Sequence, residues 1–118
     1  MVGDAFAEVT IAGGDARARV SPAHAAALCA GHFPDDPLVP GAYLLELMAD
    51  LAEHLVPAAR ERQGRPPVVV RCAFAARVRP THAIALHARR DAADVVEVDV
   101  MADGTRAASA TLAFGTPP

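Results

Sequence analysis

One segment of this chain repeats its apolar residues with the period of a helix, and most of what surrounds it repeats with the period of a strand. From Ala42 to about Ala59, the residues Leu44, Leu45, Met48, Leu51, Ala52 and Leu55 recur at three- and four-residue spacing and make one apolar face. Pro57 places the end of the regular part near Leu55. Ahead of this helix, residues 5–11 and 16–20 read as two strands across a Gly13-Gly14-Asp15 turn. Residues 21–30, opened by Ser21-Pro22 and rich in alanine, read as a short helical turn. Behind it, residues 60–67 are polar and broken by Gly64, Pro66 and Pro67, a linker. Three strand segments follow: Val68–Val78, Ala83–Arg90 after an Arg79-Pro80-Thr81 turn, and Val95–Met101, where Val alternates with Glu97 and Asp99. Asp103-Gly104 is a strong hairpin signal before a last strand, Arg106–Phe114. Two strands, one central helix and four strands of antiparallel type make an α+β plan, expected as a single domain over residues 1–118.

Composition narrows the setting. Apolar residues make up 53% of the 118 residues, but aromatics only 4%, so the core must be built from small side chains. A chain of this size with such a core gains from oligomerisation. No apolar run reaches the roughly 18 residues of a membrane span, and no secretory signal pattern opens the chain. Cys29 and Cys72 have neither metal-ligand spacing nor a redox motif, and read as reduced thiols of a cytoplasmic protein. The five histidines are scattered without paired cysteines, so no metal is expected.

Charge is unevenly laid down. All eleven basic residues are arginine. Residues 1–55 hold only Arg17 and Arg19 against eight acids, whereas residues 56–90 hold eight arginines against the single acid Glu61. That asymmetry fits an acidic partner meeting a basic face, or simply a soluble surface on an alanine-rich protein. Nucleic acid is the weaker reading, because the net charge is −3 and no stacking aromatics are interleaved with the arginines.

Residues 31–50 carry the chemistry. Pro34, Pro37 and Pro40 stiffen a short loop, His32 opens it, and Gly41 ends it where the helix begins. Glu46 falls in the second turn of that helix. Without a Cβ, Gly41 lets a carbonyl approach the first free N–H groups of the helix, although a plain loop-to-helix junction explains the glycine as well. Glu46, Asp50 and Glu53 lie on one helical face and read either as a solvated stripe or as part of a site. A held base, a helix N-terminus and an acid are what acid–base chemistry on a thioester requires.

In this stretch His32, Phe33, Pro34, Pro37, Pro40, Gly41 and Glu46 stand in register with the pattern His-Phe-Pro-x-x-Pro-x-x-Pro-Gly and a Glu fourteen residues after the His. The chain therefore resembles the β-hydroxyacyl-(acyl-carrier-protein) dehydratases of the hotdog fold, and most of all their compact fatty-acid and aryl-polyene pigment members. Ser21-Pro22 leading to Gly31 and Phe74…Val78-x-Pro80 extend the likeness on either side. The sequence departs from the pattern at Asp35, where glycine is usual, at Val39 in place of Met, at Asp50 in place of Gln, and at Thr81-His82 in place of Gly-Asp.

The resemblance implies a curved antiparallel sheet wrapped around one central helix. It implies dehydration of a 3-hydroxyacyl group to a trans-2-enoyl group while the acyl chain rides on the phosphopantetheine arm of an acyl carrier protein, with no metal or redox cofactor. His32 would take the C2 proton and Glu46 would protonate the leaving hydroxyl, the two coming from different subunits of a dimer. Phe33, Pro40, Gly41, Tyr43 and Asp50 would line the substrate site, although core packing is the better reading of Tyr43. A buried Asp50 four residues from Glu46 would raise the pKa of Glu46 and favour its acid form. Arg60, Arg62, Arg65, Arg89 and Arg90 are the candidates for carrier-protein docking. Two other functions stay open: a hotdog thioesterase in which Glu46 or Asp50 activates water, and a weakly catalytic partner subunit of a paralogous dehydratase. The expected assembly is a homodimer or larger, or a heterodimer with such a paralogue.

Overall fold

The computed structural model describes residues 5–29, 38–56, 67–92 and 94–115. Their elements run β1 (Phe6–Ala12), β2 (Asp15–Val20), α1 (Pro22–Leu28), α2 (Gly41–Glu53), β3 (Val68–Phe74), β4 (Ile84–Ala92), β5 (Val95–Ala102) and β6 (Thr105–Ala113). All strands join one sheet in the order β1-β2-β4-β5-β6-β3, and every neighbouring pair is antiparallel. The long helix α2 packs on one face of the sheet, against β2, β4, β5 and β6. This is the α+β hotdog arrangement that the resemblance implied. Among the described residues no helix is long and apolar enough to cross a membrane.

The alternation read in the sequence is the alternation of the sheet. Along β5, Val96, Val98 and Val100 are fully buried, while Val95, Glu97, Asp99 and Met101 face the other way and are half-buried. Leu86 from β4 and Leu112 from β6 join them beneath α2, which contributes Leu44, Leu47, Met48, Leu51 and Ala52. Alanines fill the remaining inward positions, Ala16, Ala18, Ala88, Ala108 and Ala110. Such short side chains let the helix lie close to the sheet. Leu47 was not in the expected apolar face; it is buried because α2 is covered over a wider arc than one stripe.

Two local features differ from expectation. The valine-rich segment reads as a strand to Val78, but β3 stops at Phe74. There the N–H groups of Ala75 and Ala76 both donate to the Ala107 carbonyl, at 2.7 and 3.1 Å, and the ladder ends. The chain then leaves the sheet edge, and the Val78 carbonyl accepts the Val39 N–H at 2.7 Å. In the other case, β4 continues to Ala92, two residues past its expected end. The Asp103-Gly104 turn closes the β5–β6 hairpin with φ of 50° and 83°, the left-handed pair that such a two-residue connection needs.

Candidate active site

The N-terminus of α2 is set by its Pro40 cap and by the Val39–Val78 hydrogen bond beside it. Pro40 is extended (φ −59°, ψ 143°) and stands at the N-cap, where its ring offers no side-chain acceptor. Its carbonyl accepts the N–H groups of Tyr43 and Leu44 at 3.0 and 3.2 Å, which starts the helix. The N–H groups of Gly41 and Ala42 precede that first bond and have no intrahelical acceptor, and the N-cap side chain supplies none, so the positive end of the helix dipole lies at these donors. Val39, buried and tied to Val78, fixes where this end sits.

A close approach favours glycine at position 41. A Cβ added to it would lie 3.1 Å from Phe74 Cζ and 3.2 Å from Cε1. The Phe74 ring, half-exposed at the end of β3, thus covers the start of α2. This contact joins residues thirty-three apart in the sequence. Only the glycine itself hinted that something would approach so closely.

Two faces of α2 carry different residues. Ala42 and Glu46, four apart, are exposed, and Asp50 and Glu53 are half-buried on the same side. Glu46 is thus open to solvent in the single chain, the solvated arrangement that was one of its two readings. Asp50, four residues on, is only half-buried, so the burial on which its effect on Glu46 depends is partial in the single chain. Tyr43 is half-buried and packs against the core cluster, which is the core role weighed for it. His54 caps the helix at its other end, where its Nδ1–H donates to the Asp50 carbonyl at 3.1 Å.

His32, Phe33, Pro34, Asp35 and Pro37 lie outside the described residues, as do Arg60, Arg62 and Arg65. The remaining docking candidates do not form one patch. They are consecutive on β4, so their side chains leave opposite faces of the sheet. Arg89 donates to Asp99 at 3.1 Å and, through the same Nη1, to His87 Nδ1 at 3.4 Å, while His87 Nε2–H donates to Asp15 at 3.3 Å. This row crosses the face of the sheet turned away from α2. Arg90 is exposed at the far end of β4, and its N–H donates to the Gly14 carbonyl at 2.8 Å.

Neither cysteine offers a nucleophile. Burial pushes the thiols of Cys29 and Cys72 above their ordinary value, which disfavours the thiolate.

The chain belongs to the ApeI-like family of ApeI dehydratases, whose family model matches residues 9–111. Solved structures share its fold at low identity. One is the dehydratase heterocomplex ApeI:P from Xenorhabdus doucetiae, with a TM-score of 0.72, 15% identity, and 92% of this chain and 94% of that one covered. A Streptococcus mutans protein bound to acetyl CoA gives a TM-score of 0.66 at 15% identity, covering 95% of this chain and 88% of its own. A Thermus thermophilus thioesterase complexed with coenzyme A and Zn gives 0.55 at 18% identity, covering 85% and 83%.

Proposed function

We propose that this chain dehydrates 3-hydroxyacyl groups on an acyl carrier protein to trans-2-enoyl groups, in fatty-acid or aryl-polyene synthesis. The observation that carries the reading is the His32…Gly41…Glu46 spacing in the sequence, with Gly41 opening α2 and Glu46 in its second turn, in a chain of the ApeI-like dehydratase family. The thioester carbonyl would lie against the N–H groups of Gly41 and Ala42, whose donors stabilise the negative charge that develops when C2 loses its proton. His32, as neutral imidazole, takes that proton. Glu46, protonated, gives its own to the C3 hydroxyl as the C–O bond breaks, so that water leaves and the C2–C3 double bond forms. The proton on His32 then returns Glu46 to its acid form through solvent, and no redox equivalent is consumed. Pro40, Phe33, Tyr43 and Asp50 shape the pocket around these groups.

A second hotdog chain completes the site. Support comes from β3, which stands at the sheet edge with unusual apolar exposure: Val68 at 60%, Val70 at 63% and Phe74 at 53%. An apolar edge with free backbone groups favours pairing with another strand. Its occupant is a second copy or a paralogous dehydratase, as in the ApeI:P heterocomplex, and it would cover the open face of α2 and bring His32 of one chain to Glu46 of the other. The arginine-rich segment of Arg60, Arg62 and Arg65, together with exposed Arg90, receives the acidic carrier protein; Arg89, held by Asp99, contributes less.

Mass spectrometry of a 3-hydroxyacyl-carrier protein incubated with the chain tests the reading. Loss of one water from the loaded arm is expected. An arm stripped of its acyl group would instead identify a thioesterase, and an unchanged arm across acyl lengths would leave a partner subunit.

A further inference from the structure

The turn that follows β3 carries histidine where the resembled family has aspartate, and the structure shows that imidazole closing the turn on itself. His82 N–H donates to the Arg79 carbonyl at 3.0 Å, and Arg79 N–H donates to His82 Nδ1 at 2.9 Å. Pro80 presets the backbone between them. A ring nitrogen that accepts must hold a free lone pair, so this bond exists only for the neutral ring protonated at Nε2.

The turn is wired to α2 by two short steps. Val78, next to Arg79, accepts the Val39 N–H at 2.7 Å, and both valines are buried. Pro40, next to Val39, accepts the first two hydrogen bonds of the helix. Loosening the turn therefore loosens the point where Gly41 presents its N–H.

We propose that His82 is a positioning residue whose neutral imidazole holds the N-terminus of α2 in place, and that protonating it releases that hold. Its surroundings among the described residues do not replace the lost bond. Arg79 belongs to the turn itself. Arg19 on β2 lines the same cavity of about 220 Å³ and is bridged to Glu8 of β1 at 2.8 Å. Asp103 is engaged with the neighbouring backbone, where its Oδ1 accepts the Ala83 N–H at 2.6 Å. An imidazolium would thus lose its acceptor atom and add a positive charge to a turn that already holds an arginine. Imidazole changes charge between about pH 5 and 8, whereas an aspartate or asparagine acceptor persists throughout. Histidine makes conditional what aspartate would make permanent.

The consequence for turnover rests on the dehydratase reading, but the coupling does not, and it is measured without substrate. Protection factors of the Arg79 and Val39 amides are followed by hydrogen exchange at about pH 7.5 and 5.5. The wild type, His82→Asn and His82→Ala are compared, with Val98 of β5 as the internal reference. The wild type should lose about fivefold protection at both amides on acidification, the size expected of one hydrogen bond. His82→Asn should stay high at both pH values, and His82→Ala low at both. If the alanine variant fails to fold, the asparagine comparison suffices. A wild type that does not respond, an asparagine variant that responds as the wild type does, or an Arg79 response without one at Val39 would each overturn the proposal. Absence of enoyl product from the wild type would count against the dehydratase reading and leave the exchange result standing.

Discussion

The two sides of α2 obey different rules. One side presents Leu44, Leu47, Met48, Leu51 and Ala52 to the sheet, each at 2% exposure or less. The other presents Ala42 and Glu46 to solvent, with Asp50 and Glu53 half-covered. The first side has its partners within the chain and sets stability. The second has polar groups, a helix end whose N-cap residue offers no side-chain acceptor and, against that end through Phe74, an apolar sheet edge. A surface that does little for folding yet carries the motif's acid is free to be selected for chemistry and for a second chain.

The sharpest way to break this comparison is to change each side once. Glu46→Gln should lower dehydration by about 10²–10⁴-fold, the usual contribution of one positioned acid. Its unfolding free energy should stay within about 0.5 kcal/mol of the wild type, as for most exposed positions. Leu51→Ala should do the reverse in denaturant titrations. A fully buried leucine removed from this core should cost about 2–5 kcal/mol, without a specific effect on the turnover of whatever remains folded. Equal loss of stability in both variants would erase the distinction between the sides.

Gly41 lies at the join and gives a finer test. Gly41→Ala places a methyl 3.1 Å from the Phe74 ring, so the ring must give way, and this offsets the helix propensity gained. In a Phe74→Ala background the obstruction is gone, and the same substitution should stabilise by about 0.5–1 kcal/mol. Additivity in that double-mutant cycle would mean that Phe74 does not constrain the start of α2.

The smallest effect concerns the core that α2 packs on, at high pH. Burial raises the Cys29 thiol in the folded chain relative to the unfolded one. The folded state holds its proton more tightly, so this contribution is complete below the unfolded value and fades as pH rises through the folded value. Unfolding midpoints should therefore fall with alkaline pH less steeply in Cys29→Ala than in the wild type.

Much of this was readable from residue patterns because it is local. The Val95–Met101 alternation, the Asp103-Gly104 turn and the stripe of α2 follow from periods of two and 3.6 and from one pair of positive φ angles. What escaped is long-range. Nothing near Val78 says that its carbonyl will turn to Val39, and nothing near Phe74 says that its ring will rest on Gly41. The His82 ring was legible only as a departure from a pattern, because its acceptor role depends on the turn geometry. The exposure of Glu46 depends on how far the sheet wraps the helix, which periodicity does not encode.

Mixing two inactive variants tests the central claim most directly, that the open side of α2 becomes a site only when a second chain covers it. His32→Ala and Glu46→Gln, each purified and each without dehydratase activity, are combined under conditions that exchange subunits. Half of the dimers are then mixed and each holds one intact pair, so roughly a quarter of wild-type activity should return. A mixture that exchanges subunits and stays as inactive as its components would contradict the account.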